Sequence, residues 1–285
     1  MKTDKFGERT SWAVAGAALI GLAMPMAASA TEPCDDFGEC KVLIEINSSD
    51  GDIGFHWLTD GDDLNWTSIR DPHYRLVYTN RAVGPLRKQK LTETFGESAE
   101  PLCWIPPVED QDEDFDPDDV VTLKEFLHRW KDGTYRVRGW GDGEMLRGQT
   151  ELTYLLPAAP AEVDFDGSLI TWEGGEDLGN CASADELDVL VWENVLPQHP
   201  EDVHVDVFEV VLEPDVEDGD PIGSLVFSIR VPGDVTAVTV PADYLASLPD
   251  DTPVKVEVGA IGGEDNATFT EEDGFCVNEV EGCED

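Results

Sequence analysis

The chain has 285 residues and a formal net charge of −44, from 62 acidic and 18 basic residues. This length is sufficient for two ordinary domains, each with a core of its own. The charge argues against a nucleic-acid partner and against an anionic membrane surface, because both require clustered Lys and Arg. Hydrophobic residues make up 41% of the chain, which is enough to form a folded core.

The first thirty residues have the pattern of a secretory signal. Basic residues in the first nine positions precede an apolar stretch over 12–28, and Ala28-Ser29-Ala30 supplies the small residues of a cleavage site. A retained membrane anchor is the alternative, but no basic cluster follows the stretch. We therefore expect residues 1–30 to be removed, leaving a periplasmic or extracellular protein without a membrane-inserted segment.

All six cysteines lie after residue 30, and in an exported protein an even number indicates disulfides. Zinc is a weaker interpretation, because no Cys-x2-Cys pair and no paired His spacing occur. Three cysteines fall in each half of the chain, so complete pairing requires at least one disulfide between the halves. The six disulfide candidates are Cys34, Cys40, Cys103, Cys181, Cys276 and Cys283.

Residues 31–156 alternate apolar and polar positions in short runs, which predicts an antiparallel β-sandwich domain. The predicted strands cover residues 42–46, 53–58, 66–69, 75–79, 134–138 and 151–155. One short helix is predicted at about 122–130, with Thr122 as its N-cap and Glu125 completing a capping box. This half does not resemble a family known to us.

A Pro/Ala segment at 157–160 is the predicted linker to a second domain at 161–276, which an acidic tail at 277–285 follows. Charge is unevenly divided at this boundary. Residues 161–285 contain 33 acidic residues against two basic ones, whereas residues 31–160 contain 27 acidic and 13 basic residues.

The second half resembles a fibronectin type III domain over residues 161–276. Leu187-Asp188-Val189-Leu190-Val191-Trp192 resembles the family's second strand with its core tryptophan, although Trp172 is an alternative for that position. Phe208, in the run 203–211, lies where the third strand usually has an aromatic residue. Leu245 and then Thr252–Val258 resemble the leucine and the Thr-x-Tyr-x-Val-x-Val strand of the family, with Val254 in place of the tyrosine.

The resemblance and the alternation together predict an all-β protein of two antiparallel sandwiches, the first with one short helix and the second fibronectin type III-like. In such a sandwich the first connection and the end of the last strand lie at the same pole. We therefore expect Cys181 and Cys276 to be close enough to pair.

Calcium is the cofactor best suited to the acidic turns, although solvated turn residues explain the same pattern. One turn and the next acidic loop supply hard oxygen ligands on neighbouring connections, without the spacing of an EF-hand. The candidate ligands are Asn47, Asp50, Asp52, Asp60 and Asp62, with Asp63 beside them.

The sequence contains none of the common catalytic or nucleotide-binding motifs, and its five histidines are scattered. We therefore predict a non-enzymatic, exported protein-interaction module whose protein or glycan partner is unknown. The alternatives are a carbohydrate-binding or enzyme-accessory module, a calcium-binding surface protein, and a hydrolase whose carboxylates cannot be distinguished among so many. The aromatic candidates for stacking on a sugar or partner are Trp57, Trp66, Trp140 and Trp172.

Overall fold

The computed structural model describes residues 34–108, 111, 115–217, 219–280 and 282–283. The predicted secretory signal lies outside these residues. The described chain consists mainly of β-strands with a few short helices, which confirms the all-β prediction. No helix in these residues combines the length and apolar character needed to cross a membrane.

Fourteen strands occur in three sheets of the described chain. The first seven are β1 (Glu39–Asn47), β2 (Asp52–Leu64), β3 (Trp66–Arg70), β4 (Leu76–Arg81), β5 (Leu91–Glu97), β6 (Gly133–Gly141) and β7 (Glu144–Leu152). The other seven are β8 (Ala161–Phe165), β9 (Leu169–Glu173), β10 (Val205–Pro214), β11 (Phe227–Pro232), β12 (Ala237–Thr239), β13 (Thr252–Gly262) and β14 (Asn266–Val277).

The described α-helices are short and connect the strands. They are α1 (Leu86–Gln89), α2 (Leu123–Arg129), α3 (Ala184–Trp192) and α4 (Ala242–Leu245). Helix α2 confirms the helix predicted at 122–130: the Thr122 side chain caps it by accepting from the backbone N–H of Glu125. Its buried face packs into the first core through Leu123, Phe126 and Leu127.

A seven-stranded sheet contains strands from both halves of the chain, in the order β11-β10-β13-β14-β1-β2-β5. The halves join where β1 pairs with β14 in parallel, Ile46 opposite Thr268, whereas every other pairing in the sheet is antiparallel. A four-stranded sheet, β4-β3-β6-β7, and a three-stranded sheet, β12-β9-β8, complete the fold.

Two hydrophobic cores lie against the seven-stranded sheet. The first lies between β1 and β2 and the four-stranded sheet, with Ile44, Phe55 and Tyr135 fully buried. The second lies between β10 and β13 and the three-stranded sheet, where Trp172 meets Phe208 edge-on at 5.4 Å between ring centroids. Buried side chains alternate with half-exposed ones along β1, β10 and β13, so one face of each strand contributes to a core.

The predicted strand at Leu187–Trp192 is wrong: these residues belong to helix α3. Ser183 and Glu186 form a capping box at its start, and Leu187 and Leu190 pack into the first core. Trp192 is therefore 81% exposed, and Trp172 at 2% exposure is the buried tryptophan of the second core. A short apolar run such as this fits the periodicity of a strand and that of a helix. The capping box of Ser183 and Glu186 favours the helix.

The six cysteines form three pairs, one of which joins the two halves of the chain. The expected Cys181–Cys276 pair is wrong, because Cys181 lies in a short turn before α3, where it is buried in the first core beside Cys103. The Cα–Cα distances are 5.5, 5.0 and 5.7 Å, respectively, for Cys34–Cys40, Cys103–Cys181 and Cys276–Cys283. The third pair ties residue 283, in the predicted acidic tail, back to β14.

The Pro/Ala segment predicted as a linker is buried along β14. The Thr268 hydroxyl donates to the Pro157 carbonyl at 2.7 Å, and the Thr270 hydroxyl donates to the Pro160 carbonyl at 2.6 Å. These bonds satisfy the carbonyl groups of two prolines in a buried segment, where an unpaired carbonyl would be costly. The division into domains at this segment stays a prediction, while the seven-stranded sheet passes through both sides of it.

Candidate functional site

The first group of predicted calcium ligands lies in the turn between β1 and β2, as expected. The Asn47 side-chain oxygen accepts from the backbone N–H of Ser49 and of Asp50, both at 3.1 Å, and its amide donates to Asp50 Oδ2 at 3.0 Å. The Asn47 oxygen is thus used by the turn itself. Burial and the neighbouring carboxylates, Glu100 foremost among them, raise the pKa of Asp52 to about 7.

The second group does not lie next to the first. Strand β2 continues from Asp52 to Leu64, so Asp60, Asp62 and Asp63 belong to the strand rather than to a neighbouring loop. At about 3.3 Å per residue, Asp60 lies about 26 Å along the strand from Asp52. The structure therefore does not bring the two groups together, and calcium binding at either group stays a prediction.

A cluster that the sequence did not indicate lies beside that turn, on the outer face of the seven-stranded sheet. His56 on β2 is buried, and its Nε2 lies 3.1 Å from Glu100 Oε1, while its Nδ1 lies 4.0 Å from Glu45 Oε2. Gly54 makes room for this contact, since a Cβ there would lie 2.6 Å from Glu100 Oε1 and 2.8 Å from His56 Nε2.

The two carboxylates of this cluster favour the charged form of His56. Burial lowers the pKa of His56, but the hydrogen bond to Glu100 and the charge of Glu45 raise it by more. Burial raises the pKa of Glu45. Donor atoms of the three side chains lie within 4.8 Å of one another, and an imidazole with two carboxylates is a donor set that transition metals accept. In this geometry the buried imidazole hydrogen-bonds to Glu100 and lies near Glu45, so the cluster is an ion triad centred on His56.

The four tryptophans predicted as stacking residues occupy different environments. Trp172 is buried in the second core, and Trp57 is half-buried against the first core with its ring 4.7 Å from that of Tyr78. Trp66 on β3 and Trp140 on β6 are direct cross-strand neighbours on the outer face of the four-stranded sheet. Trp140 is 39% exposed, so this pair is the one available to a ligand.

The outer face of the four-stranded sheet combines these indoles with arginines in cross-strand rows. One row is Arg81–Trp66–Trp140–Met145, the next is Thr79–Ser68–Arg138–Arg147, and the third is Leu76–Arg70–Arg136–Gln149. We call these three rows the arginine–tryptophan face. Its opposite side carries Ile69, Tyr135 and Val137, which are buried in the first core. Alternation along the strands therefore directs the arginines outward.

The guanidinium groups of this face make no ion pair with a described carboxylate, although the chain contains 62 acidic residues. Among the residues that the structure describes, no carboxylate lies within 4.0 Å of a guanidinium nitrogen of these five residues: Arg70, Arg81, Arg136, Arg138 and Arg147. Neutral contacts hold two of them. Arg136 lies over the Tyr74 ring at 4.3 Å, and Arg70 donates to the Tyr74 carbonyl at 2.8 Å.

The sequence contained a signal for this face. Arg136, Arg138 and Trp140 alternate with residues that pack inward, in a stretch whose first five residues were predicted as a strand. The outward positions of that alternation predict an exposed basic surface that contains Arg136 and Arg138.

No family model matches the chain, and no curated protein matches it. Among solved structures, it is similar to the BSP domain of a biofilm-associated protein, at 12% identity and a TM-score of 0.21, over 86% of this chain and 30% of that one. It is also similar to a structure from a 1.5-MDa bacterial ice-binding adhesin, described in terms of host cell surface retention. That match has 12% identity and a TM-score of 0.22, over 85% of this chain and 65% of that one.

The chain spans less than two thirds of either solved structure. At these TM-scores neither likeness assigns a fold or an activity to it. The paired cysteines agree with an exported protein, because disulfides persist in oxidising compartments.

Proposed function

We propose that this protein is an exported, non-enzymatic interaction module that binds its partner through the arginine–tryptophan face. The observation that carries the proposal is the set of arginines that lack carboxylate partners in a chain so rich in carboxylates. Like charges directly opposite each other on neighbouring strands destabilise a sheet. An arrangement that is unfavourable in the free protein becomes favourable when an external anion occupies it.

The exposed indole of Trp140 and the half-buried indole of Trp66, beside the arginines, support the same surface. Binding surfaces are enriched in Trp and Arg, which supply a large contact area and directional hydrogen bonds. Trp66 and Trp140 lie in the first row of the face, and Arg138 lies two residues from Trp140 on the same strand. The face thus combines the two residue types that dominate recognition energetics.

A fibronectin type III-like second half is part of this proposal. Its support is the packing of three strands, β12-β9-β8, against four antiparallel strands, β11-β10-β13-β14, around a single core. Seven strands in two such sheets form the sandwich architecture that fibronectin type III domains share. The arginine–tryptophan face belongs to the other half, so the second half serves as its support and spacer.

Binding to the outer surface of intact cells tests the proposal. Fluorescently labelled protein is added to cells of the producing organism with their extracellular matrix, and bound label is measured. We expect the wild type to bind and the Arg138→Glu/Arg147→Glu variant to lose that binding. The matched control is Arg129→Glu/Lys131→Glu, which makes the same change of charge outside the face. Equal binding by all three proteins would overturn the proposal.

A further inference from the structure

We infer that the partner of the arginine–tryptophan face is an anionic polysaccharide, and that one acidic sugar unit occupies the pocket beside Trp66 and Trp140. This inference rests on the proposed function, because it names the chemistry of the ligand for the same face. It is carried by the composition of the pocket, the rigidity of its walls and the direction of the arginine rows.

The pocket opens at the edge of the first row and has a volume of 380 Å³. This volume falls within the range of small-molecule sites, about 300–1,000 Å³. Its described lining includes two indoles and three cationic side chains but no carboxylate. Its lining residues are Asn65, Trp66, Arg81, Ala82, Arg87, Lys90 and Trp140.

Hydrogen bonds hold the pocket walls in place before any ligand binds. The Asn65 backbone N–H donates to the Trp140 carbonyl at 2.7 Å, and the Ala82 N–H donates to the Asn65 carbonyl at 2.8 Å. The Lys90 ammonium donates to Asn65 Oδ1 at 2.6 Å, which places this cation at the pocket. Walls held in this way reduce the ordering cost of binding.

The lining matches the two surfaces of an acidic sugar. A pyranose ring presents an apolar C–H face, and an indole offers a flat apolar surface for it. A carboxylate or sulfate on the ring then requires a cation, for which Arg81 and Arg87 offer planar, bidentate donors. A neutral sugar would leave three cations without an anion.

The rows of the face extend this chemistry along a polymer. From Trp140, the strand β6 presents Arg138 and then Arg136 on the same side, at intervals of about 7 Å. Arg147 lies opposite Arg138, and Arg70 lies opposite Arg136. A chain that carries one charge per sugar unit would thus meet cations in succession beyond the pocket.

Duplex DNA and acidic peptides fit less well. DNA carries about one charge per 1.7 Å of its axis, so the acidic remainder of this protein repels it strongly. An acidic peptide has charges but lacks repeating apolar rings to cover both indoles. Screening within about 8 Å at physiological ionic strength lets the local cations act on a more sparsely charged polymer.

Titration calorimetry of the full chain after signal removal tests the inference, with four probes. The probes are polygalacturonate, neutral dextran, poly-L-glutamate and duplex DNA. We expect binding to polygalacturonate alone, and a loss of about tenfold in affinity for Trp140→Ala. Arg87→Gln, on a helix without buried residues, is a second variant that leaves the core intact and should also weaken binding. Arg129→Gln is the matched control.

The outcomes separate the inference from the proposed function. Equal affinity for poly-L-glutamate or for DNA would overturn the polysaccharide assignment and leave the face as the binding surface. If polygalacturonate fails to bind while cell binding still depends on Arg138 and Arg147, the polysaccharide assignment is likewise overturned and the face remains the binding surface. If the affinity for polygalacturonate is unchanged in Trp140→Ala and in Arg87→Gln, the assignment of the sugar unit to this pocket is overturned.

Discussion

Arg138 on β6 and Arg147 on β7 lie directly opposite each other, and among the described residues no carboxylate lies within 4.0 Å of either guanidinium group. Both side chains are exposed on the same side of the four-stranded sheet. This pairing places two like charges at the closest cross-strand position in a protein with an excess of acids. The proposed binding function accounts for this arrangement.

Arg147→Glu should stabilise the protein and weaken its function. The new carboxylate would face Arg138 as an opposite charge, which should raise the free energy of unfolding by about 0.2–1 kcal/mol. Urea denaturation measures this change, and the cell-binding assay measures the loss of binding. Arg129→Glu, on α2, should show neither effect. A destabilised Arg147→Glu variant that binds normally would contradict this prediction.

Trp172 and Trp192 should respond very differently to replacement by alanine. Trp172 is buried against Phe208, so its truncation should lower the free energy of unfolding by about 3–5 kcal/mol. Trp192 is exposed on α3, and its truncation should change stability by less than about 0.5 kcal/mol. Thermal melts of the two variants check this. Similar losses in both would mean that α3 does not lie as described.

Stability should fall as the pH rises from about 4 to about 8. Burial, followed by the charges of Glu271 and Glu45, raises the pKa of Glu257 to about 8, and burial raises that of Asp52 to about 7. The folded protein therefore binds these protons more tightly than the unfolded chain, so their contribution is complete at low pH and lost as each group ionises. The raised pKa of His56 has the same effect, because its contribution to stability is also lost as the pH rises.

Melting temperatures at pH 5 and pH 8 test this sign. We expect the higher value at pH 5, and a smaller difference between the two in Glu257→Gln. Glu151→Gln, on an exposed position of β7, is the control and should behave like the wild type. A melting temperature that is equal or higher at pH 8 would show that these carboxyls are not buried as described.

Sodium chloride should raise the melting temperature. Residues 161–285 contain two basic residues against 33 acidic ones, and both are already paired: Arg230 with Glu209, and Lys255 with Glu213 and Glu271. Lys41 and Lys124 of the first half pair with Asp265 and Glu193, and salt screens the repulsion among the remaining carboxylates. A flat or falling melting temperature between low and high salt would contradict this account.

The Cys103–Cys181 disulfide should contribute more stability than the other two. It closes a loop with a sequence separation of 78, against 6 and 7 for Cys34–Cys40 and Cys276–Cys283. Loop entropy predicts a contribution of about 4 kcal/mol for the long loop. Denaturation of Cys103→Ala/Cys181→Ala should therefore show a larger loss than Cys276→Ala/Cys283→Ala, and the reverse order would contradict the prediction.

Local signals in the sequence predicted the elements that depend on local physics. The Thr122 cap and the apolar face that follows it predicted α2, and strict alternation predicted β1. Leu187–Trp192 was misread because six apolar and acidic residues suit a strand or a helix equally. The Ser183–Glu186 capping box, four residues earlier, contained the information that decides between them.

The candidate sites depend on register, which the sequence does not display. His56 and Glu100 are 44 residues apart, and they meet because residues 98–102 run back along β2. Arg70 and Arg138 meet on one face because β3 pairs with β6. These are long-range pairings whose partners no local pattern specifies.

The most direct test of the central claim is an NMR titration of ¹⁵N-labelled protein with an oligogalacturonate. The account predicts that the indole N–H signals of Trp66 and Trp140 shift as the ligand is added, together with backbone signals of β3 and β6. The indole signals of Trp57, Trp172 and Trp192 should stay in place. Shifts confined to residues outside the arginine–tryptophan face, or no shifts at all, would contradict the claim.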